Sequence, residues 1–404
     1  MADGTLIKKI IRQFTPAGFD GNQKVTQQLH AVSSNDSDGE YCFDLSEEMS
    51  ATFLYMEVEE IVTVFVLPII LILGLSTNSA FLFVVGKVNA MRTVTNAYLV
   101  NLAVGDMIFL IVVISDKLWS YMTSELVQDH SARSVFGCIT LNVLNYTCLF
   151  TCELLITAVA IERYYAICYP FKSAQMDRTN LCRNVIISIW VVSACFALTM
   201  TPCFCILSSY CLSWPEGEKY EGLPNEWVVC NYVDVKARIY GDFLRTVPFF
   251  VALIVNTVLY SLVVVELNRN VQDESHPRAK INRKTRNQVA TMLVINTTVF
   301  FALMSPFNIF SVILIFDSHR TTRVLSPEGR RIYILFARLL TYCNSVINPV
   351  IYKVTNARYR KAFYIAFGCS KKKSDVPSIG METDNTNTSS VYALEDRHSV
   401  KDSG

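Results

Sequence analysis

From Ile61 to Gly86 no charged residue interrupts the apolar run. At about 1.5 Å per helical residue, that length crosses a hydrocarbon layer roughly 30 Å thick. Comparable runs lie near Ala97–Ile114, Phe136–Ile167, Val185–Leu207, Phe243–Leu267, Val289–Phe316 and Ile332–Val354. The pattern predicts an all-α fold, a seven-transmembrane helix bundle over residues 61–354. Residues 1–60 are polar and read as an extracellular, mostly disordered segment, and residues 370–404 as a disordered cytoplasmic tail. Between bundle and tail, residues 355–369 carry Tyr359, Phe363 and Phe367 at four-residue intervals opposite basic positions. That spacing predicts a short amphipathic helix lying on membrane lipid.

Charge orients the bundle. Lys87, Arg92, Lys172, Arg178, Arg183, Arg269, Arg278, Lys280, Arg283, Lys284 and Arg286 all fall on one side, outnumbering Arg320, Arg323, Arg330 and Arg331 on the other. The positive-inside rule makes the first side cytoplasmic and the N-terminus extracellular, as in a multi-pass protein of the plasma membrane. No apolar h-region lies near Met1, so the first span is expected to act as its own export signal. Asn35, followed by Asp36 and Ser37, is a glycosylation sequon on the outer side; the similar triplets at Asn145 and Asn296 lie within spans, out of the machinery's reach. Over the 404 residues, 36 Lys+Arg oppose 35 Asp+Glu, and 18% are charged against 51% hydrophobic. That balance excludes a nucleic-acid binder held by phosphate neutralisation.

The spans carry motifs in order: Gly74 and Asn78 in the first, Asn101-Leu102-Ala103-Val104-Gly105-Asp106 in the second, Glu162-Arg163-Tyr164 ending the third, Trp190 in the fourth, and Asn348-Pro349-Val350-Ile351-Tyr352 in the seventh. Together they resemble the rhodopsin-type (class A) family of G-protein-coupled receptors, over roughly Glu60 to Cys369. The resemblance implies a receptor that passes ligand binding to a heterotrimeric G protein. Residue chemistry agrees: Glu162 can hold the Arg163 guanidinium, and releasing it would make a switch, the bland alternative being an interfacial arginine. Pro349 removes a helical hydrogen bond and loosens the seventh helix around Tyr352. Asp106, Asn78, Asn344, Ser345 and Asn348 resemble the family's sodium pocket. Cys152 stands there in place of a serine, and a thiol is a poor ligand for a hard cation.

The transmission core departs from the family pattern. Met304 replaces the usual tryptophan before Pro306 in the stretch beginning Phe300, and Ala252 replaces the proline expected eight residues before Tyr260. Glu153 occupies a mid-span position that is normally aliphatic. It reads either as a neutral acid bonded to a backbone carbonyl or to Asn256, or as a pH-sensitive element of the switch.

Cys138 and Cys230 match the family's disulfide. Cys42 and Cys211 also fall outside, as a second bridge or as two free thiols. The outer loop from Pro202 to Val233 is long, polar and aromatic, which suits peptide recognition, often as a hairpin lid. No lysine lies between Arg331 and Tyr352, which excludes an opsin, and Asn145 replaces the aspartate of an amine receptor. Polar groups remain on several helices: Asp116, Asn145, Tyr146, Arg245 and Arg338, with Phe150 and Phe307. Such a set suits an extracellular peptide.

Within the family the chain resembles the thyrotropin-releasing-hormone-receptor-like neuropeptide receptors, on the stretches Met91 to Val100, Thr157 to Tyr164 and Asn344 to Tyr352. The resemblance implies that Tyr146 meets a blocked peptide N-terminus and Arg338 an amidated C-terminus, with Asp116 balancing or bracing Arg338. Phe150 and Phe307 depart from an asparagine and a tyrosine, implying a more apolar amidated peptide. Signalling through a Gq-type protein and calcium release is the further implication, with a ghrelin- or neuromedin-like peptide class as the alternative. Cys369 ahead of a lysine run is placed for palmitoylation, and Thr383, Thr386, Thr388, Ser389 and Ser390 for phosphorylation that recruits arrestin. A transporter would show an internal repeat, and an enzyme would need a nucleophile or metal cluster; neither is found. No cofactor is implied beyond the sodium ion at Asp106, Asn344 and Asn348.

Overall fold

In a computed structural model of the protein, residues 42–269, 277–317 and 325–368 are described. Asn35, Cys369, the tail threonines and serines, and most of the N-terminal segment lie outside them. Among the described residues seven helices are long and apolar enough to cross a membrane: Glu57–Lys87, Val94–Thr123, Val135–Cys168, Arg178–Thr199, Lys236–Arg269, Arg286–Phe316 and Pro327–Thr355. An eighth, amphipathic helix covers Ala357–Ala366, begun by the Asn356 side chain accepting from the Arg358 N–H.

Every expected span is present, and the second, third, fourth and seventh begin at side-chain caps. The second runs beyond Ile114 to Thr123 because Asp116 finds an ion partner, so its charged positions do not terminate it. The fourth differs most. It begins at Arg178, where Asp177 caps the Asn180 N–H, and ends at Thr199 instead of Leu207. The apolar residues after Thr199 are used otherwise: Thr201–Cys203 forms a tight turn on Pro202, and Ile206 already belongs to a strand. The seventh starts at Pro327 behind the Ser326 cap. In the first span a π-helical turn, Val62–Val66, stands directly before Pro68, whose ring cannot donate to the preceding turn.

One end of the bundle is covered by a small sheet. Strands β2 (Ile206–Ser213) and β3 (Glu226–Asn231) form a hairpin, and β1 (Phe43–Asp44) joins β2 in parallel. The turn region uses Gly222 at φ 83°, in the left-handed region. Trp214 pins the loop, donating to the Pro224 carbonyl at 3.0 Å and stacking on Tyr220. Residues 42–56 therefore depart from the disorder expected there. A helix, Glu47–Phe53, is capped by Ser46 and packs with Leu45, Leu126, Leu212 and Trp227 in a separate apolar cluster. Arg331 of the seventh span ion-pairs with Glu59 and donates to the carbonyls of Ala51 and Leu54.

At the opposite end Tyr359 and Phe363 are buried, not lipid-facing: Tyr359 packs on Phe81 and Tyr352 and donates to Asn96. Phe367, half-exposed, meets Phe83.

Candidate functional site

The hairpin end is fixed covalently. Cys138, in the first turn of the third span, is bonded to Cys230 of β3, and Cys42 is bonded to Cys211 of β2. The first bridge holds the hairpin over the bundle; the second resolves the Cys42 alternatives in favour of pairing. The loop between the second and third spans fastens the same sheet. The His130 N–H donates to the Val228 carbonyl at 2.6 Å, the Val228 N–H to Asp129 at 3.0 Å, and the Cys230 N–H to His130 Nδ1 at 3.0 Å. Burial, with Arg133 and Lys117 nearby, pushes the His130 imidazole down to about 3, so it is neutral in ordinary buffers.

Below the hairpin lies a cavity of about 240 Å³, lined among others by His130, Tyr146, Phe204, Arg238, Asp242 and Arg245. Helical spacing places Asn142 and Tyr146 on one face of the third span, and the Tyr146 ring stacks against Phe204 with centroids 6.0 Å apart. Phe150, one turn deeper, is buried against Phe196, Ala197 and Met200 and supports this floor instead of lining it. Arg245 donates to Asp242 at 2.8 Å and to Ser311 of the sixth span at 2.6 Å, and lies over the Phe307 ring at 5.0 Å. Tyr146, Arg245 and Phe307 are thus brought to one side of the bundle. Asn145 keeps a buried Oδ1 without a partner.

Asp116 is elsewhere. Its carboxylate pairs with Arg133 at 2.5 Å, and Arg133 also reaches Ser120. No direct ion pair between Asp116 and Arg338 occurs among the described residues; Arg133, just before the Ser134 cap, folds back over the second span and takes the Asp116 carboxylate. Arg338, half-buried, has no ion pair among the described residues. Sequence reasoning missed Arg133, His130, Arg238 and Asp242. Only Asp242, three residues before Arg245 on a helix, left a local signal.

At the opposite end, Glu162 accepts from Arg163 Nε at 2.5 Å and from Arg178 at the start of the fourth span. Thr95 of the second span accepts from Arg163 and donates to Glu162 at 3.4 Å. Arg178 was not anticipated as a partner. Tyr164 packs against Tyr169, and the Tyr260 hydroxyl accepts from Thr297 at 3.4 Å. Phe300 and Met304 are buried in the core, and the carbonyl of Pro306 accepts from Tyr333 at 3.0 Å. Pro349 lies inside the seventh helix, and the Tyr352 hydroxyl is buried without a partner.

Between the two ends, Asp106 accepts from Asn348 at 2.8 Å and from the Cys152 thiol at 3.9 Å. Buried Oδ1 atoms of Asn78, Asn344 and Asn348 have no partner. A carboxylate and three unused amide oxygens fit a hard cation, with Cys152 acting as a weak donor to Asp106. Glu153 is 6% exposed, but neither anticipated partner holds its carboxyl. Asn256 donates to Thr157 and to the Ala252 carbonyl, both at 2.8 Å, and no hydrogen bond of the Glu153 carboxyl occurs among the described residues.

Residues 77–352, well over half the chain, match the family described as 7 transmembrane receptor (rhodopsin family). The chain belongs to that family. This receptor is 28% identical over 346 residues to the thyrotropin-releasing hormone receptor of Bos taurus, across 79% of this chain and 81% of the relative. The human thyrotropin-releasing hormone receptor is 27% identical with the same coverage. Growth hormone secretagogue receptor type 1 of Sus scrofa is 25% identical over 337 residues, 77% of this chain and 84% of the relative. As a seven-span G-protein-coupled receptor it works by changing conformation and is not an enzyme.

Proposed function

We propose that this receptor binds a short, C-terminally amidated neuropeptide at its hairpin end and signals through a Gq-type heterotrimer to calcium release. The observation that carries this reading is the cavity beneath the hairpin, which joins an aromatic floor at Tyr146 to cationic walls at Arg245 and Arg238. Arg338, half-buried and without an ion pair among the described residues, is suited to the carboxamide oxygen, since an uncompensated guanidinium gains from any good acceptor. The named hormones of the relatives, thyrotropin-releasing hormone and the growth hormone secretagogues, are consistent with it.

The hairpin end faces outside, as the positive-inside rule requires. The peptide favours the arrangement in which Arg163 leaves Glu162 and the Arg163 end opens to the G protein. A sodium ion held by Asp106, Asn78, Asn344 and Asn348 would favour the closed arrangement. Arrestin recruitment by the phosphorylated tail, palmitoylation at Cys369 and glycosylation at Asn35 complete the reading.

The test is a calcium and cyclic-AMP screen of cells expressing the full chain against amidated neuropeptides, each active peptide repeated as its free acid. Calcium responses that weaken for the acid, and fall further with Arg338→Gln at normal surface expression, support the reading. Equal potency of amide and acid would overturn the role of Arg338, and responses through cyclic AMP alone would overturn the coupling.

A further inference from the structure

The charges around Lys117 do not balance. Leu110 and Ile114 are fully buried, and Lys117, one turn further along the second span, continues their inward stripe instead of snorkelling along lipid. The charge felt most strongly at its ammonium is that of Arg338 in the seventh span, ahead of Asp116, Arg133 and Glu59. Both nearby carboxylates are already taken: Asp116 by Arg133 at 2.5 Å, and Glu59 by Arg331. Among the described residues neither Lys117 nor Arg338 donates a hydrogen bond or pairs with a carboxylate. Both are part-buried, and none of their nitrogens is sealed from solvent. Four cations thus share two carboxylates, and the two left over still present surface to a solute. Tyr342, one turn beyond Arg338, adds a third donor. Its ring packs on Phe109, it lies close to both Arg338 and Asp116, and its hydroxyl makes no hydrogen bond among the described residues. An ammonium and a guanidinium can only donate, and the hydroxyl can donate beside them, so the group fits an oxyanion and repels a cation.

A guanidinium carries five N–H groups and a carboxamide oxygen two lone pairs, so the peptide amide assigned to Arg338 leaves donors over. We propose that Lys117, the remaining Arg338 donors and the Tyr342 hydroxyl form an anion subsite for an acidic side chain of the ligand, carried by the residue at its amidated end or the one before it. The position within the peptide rests on the reading of Arg338 given above; the excess of positive charge does not. The acid supplies the carboxylate that the protein lacks at this point, and the repulsion between Lys117 and Arg338 turns into a shared attraction.

Two measurements on the full-length receptor test it. In the first, cells expressing the receptor are screened for calcium and cyclic AMP with amidated tetrapeptide pools that fix Glu, Gln or Lys at each position in turn. Glu at the last or last-but-one position should exceed Gln by roughly tenfold in potency, about 1.4 kcal/mol. At equal surface labelling that preference should persist in Lys117→Arg, vanish in Lys117→Gln and turn toward Lys in Lys117→Glu. Active pools with no Glu preference at either position, or a preference that survives in Lys117→Gln, overturn the subsite and leave the peptide reading standing. In the second, the thermal midpoint of purified receptor is followed with N-acetylglutamate α-amide and its glutamine and lysine counterparts at matched ionic strength. The acid should raise the midpoint most, and Lys117→Gln should remove its advantage. Equal shifts from the acid and the glutamine compound, or no shift from the acid, overturn the subsite. An acid-selective shift that is lost in Lys117→Gln, together with silent pools, supports the subsite and counts against the peptide reading.

Discussion

The two ends of this receptor are held by different kinds of force. At the hairpin end two disulfides close loops of 92 and 169 residues, a three-stranded sheet joins segments from distant parts of the chain, and a small apolar cluster around Leu126 and Trp227 seals them. At the Arg163 end the polar contacts between spans gather on one carboxylate, Glu162, together with Thr95, Arg163 and Arg178. Covalent and apolar restraints resist rearrangement over their whole extent, whereas a charge-assisted hydrogen bond breaks locally and re-forms. On the function proposed above, recognition would therefore be built on a preformed surface, and the moving part would be concentrated where a few side chains decide the state.

Breaking the first disulfide tests this contrast most severely. Cys138→Ala should cost about 2–5 kcal/mol and, by releasing β3 from the third span, remove most surface expression and ligand response, read by antibody labelling of intact cells and calcium release. Normal surface levels with full potency would show that the bundle alone carries the hairpin. Next in size, Arg178→Ala should lower basal G-protein signalling several-fold, because Arg163 then becomes the sole counter-ion of Glu162 and its departure loses a charge-assisted bond of roughly 1.5–3 kcal/mol with nothing to replace it. Arg178→Lys should restore part of the signalling, and an unchanged basal rate in Arg178→Ala would remove Arg178 from the switch.

Cys42→Ala should act more weakly than Cys138→Ala, because β1 pairing and the Arg331 clamp still hold residues 43–54. A small drop in thermal midpoint and a few-fold loss of potency are expected, and a loss as large as that of Cys138→Ala would make the second bridge the principal one. The last effect is a pH dependence, small near neutral pH and growing only in acid. His130 titrates near 6.5 in the unfolded chain and near 3 when folded, so the unfolded state binds the extra proton between those values. Stability should be level above about pH 6.5 and decline as pH falls below it. His130→Gln should flatten the decline, and an equal slope in both proteins would assign it to other groups.

Much of the architecture was legible locally. Each span announced itself by length and apolar run, and Glu162-Arg163 and Asn348-Pro349 were readable because their chemistry depends on neighbours in sequence. What could not be read was set by distant partners. The fourth helix ends at Thr199 although the following residues are apolar, because Ile206 pairs with Asn231 across a hairpin. Asp116 meets Arg133 through a loop fold that no periodicity reports. His130 reaches the cavity only because its backbone is bonded to β3, about a hundred residues away. The order within residues 42–56 likewise depends on Arg331, far along the chain.

Glu162 grips guanidiniums from two helices, one on each oxygen. Stripping a poorly hydrated anion of its sole counter-ion would cost about 3–5 kcal/mol, a toll able to freeze a toggle in its resting position. In the activation step proposed above Arg178 would remain behind as Arg163 departs, so no naked charge would be created and the return stroke would find its cradle still in place. On that reading the double grip would make the transition shallow in both directions.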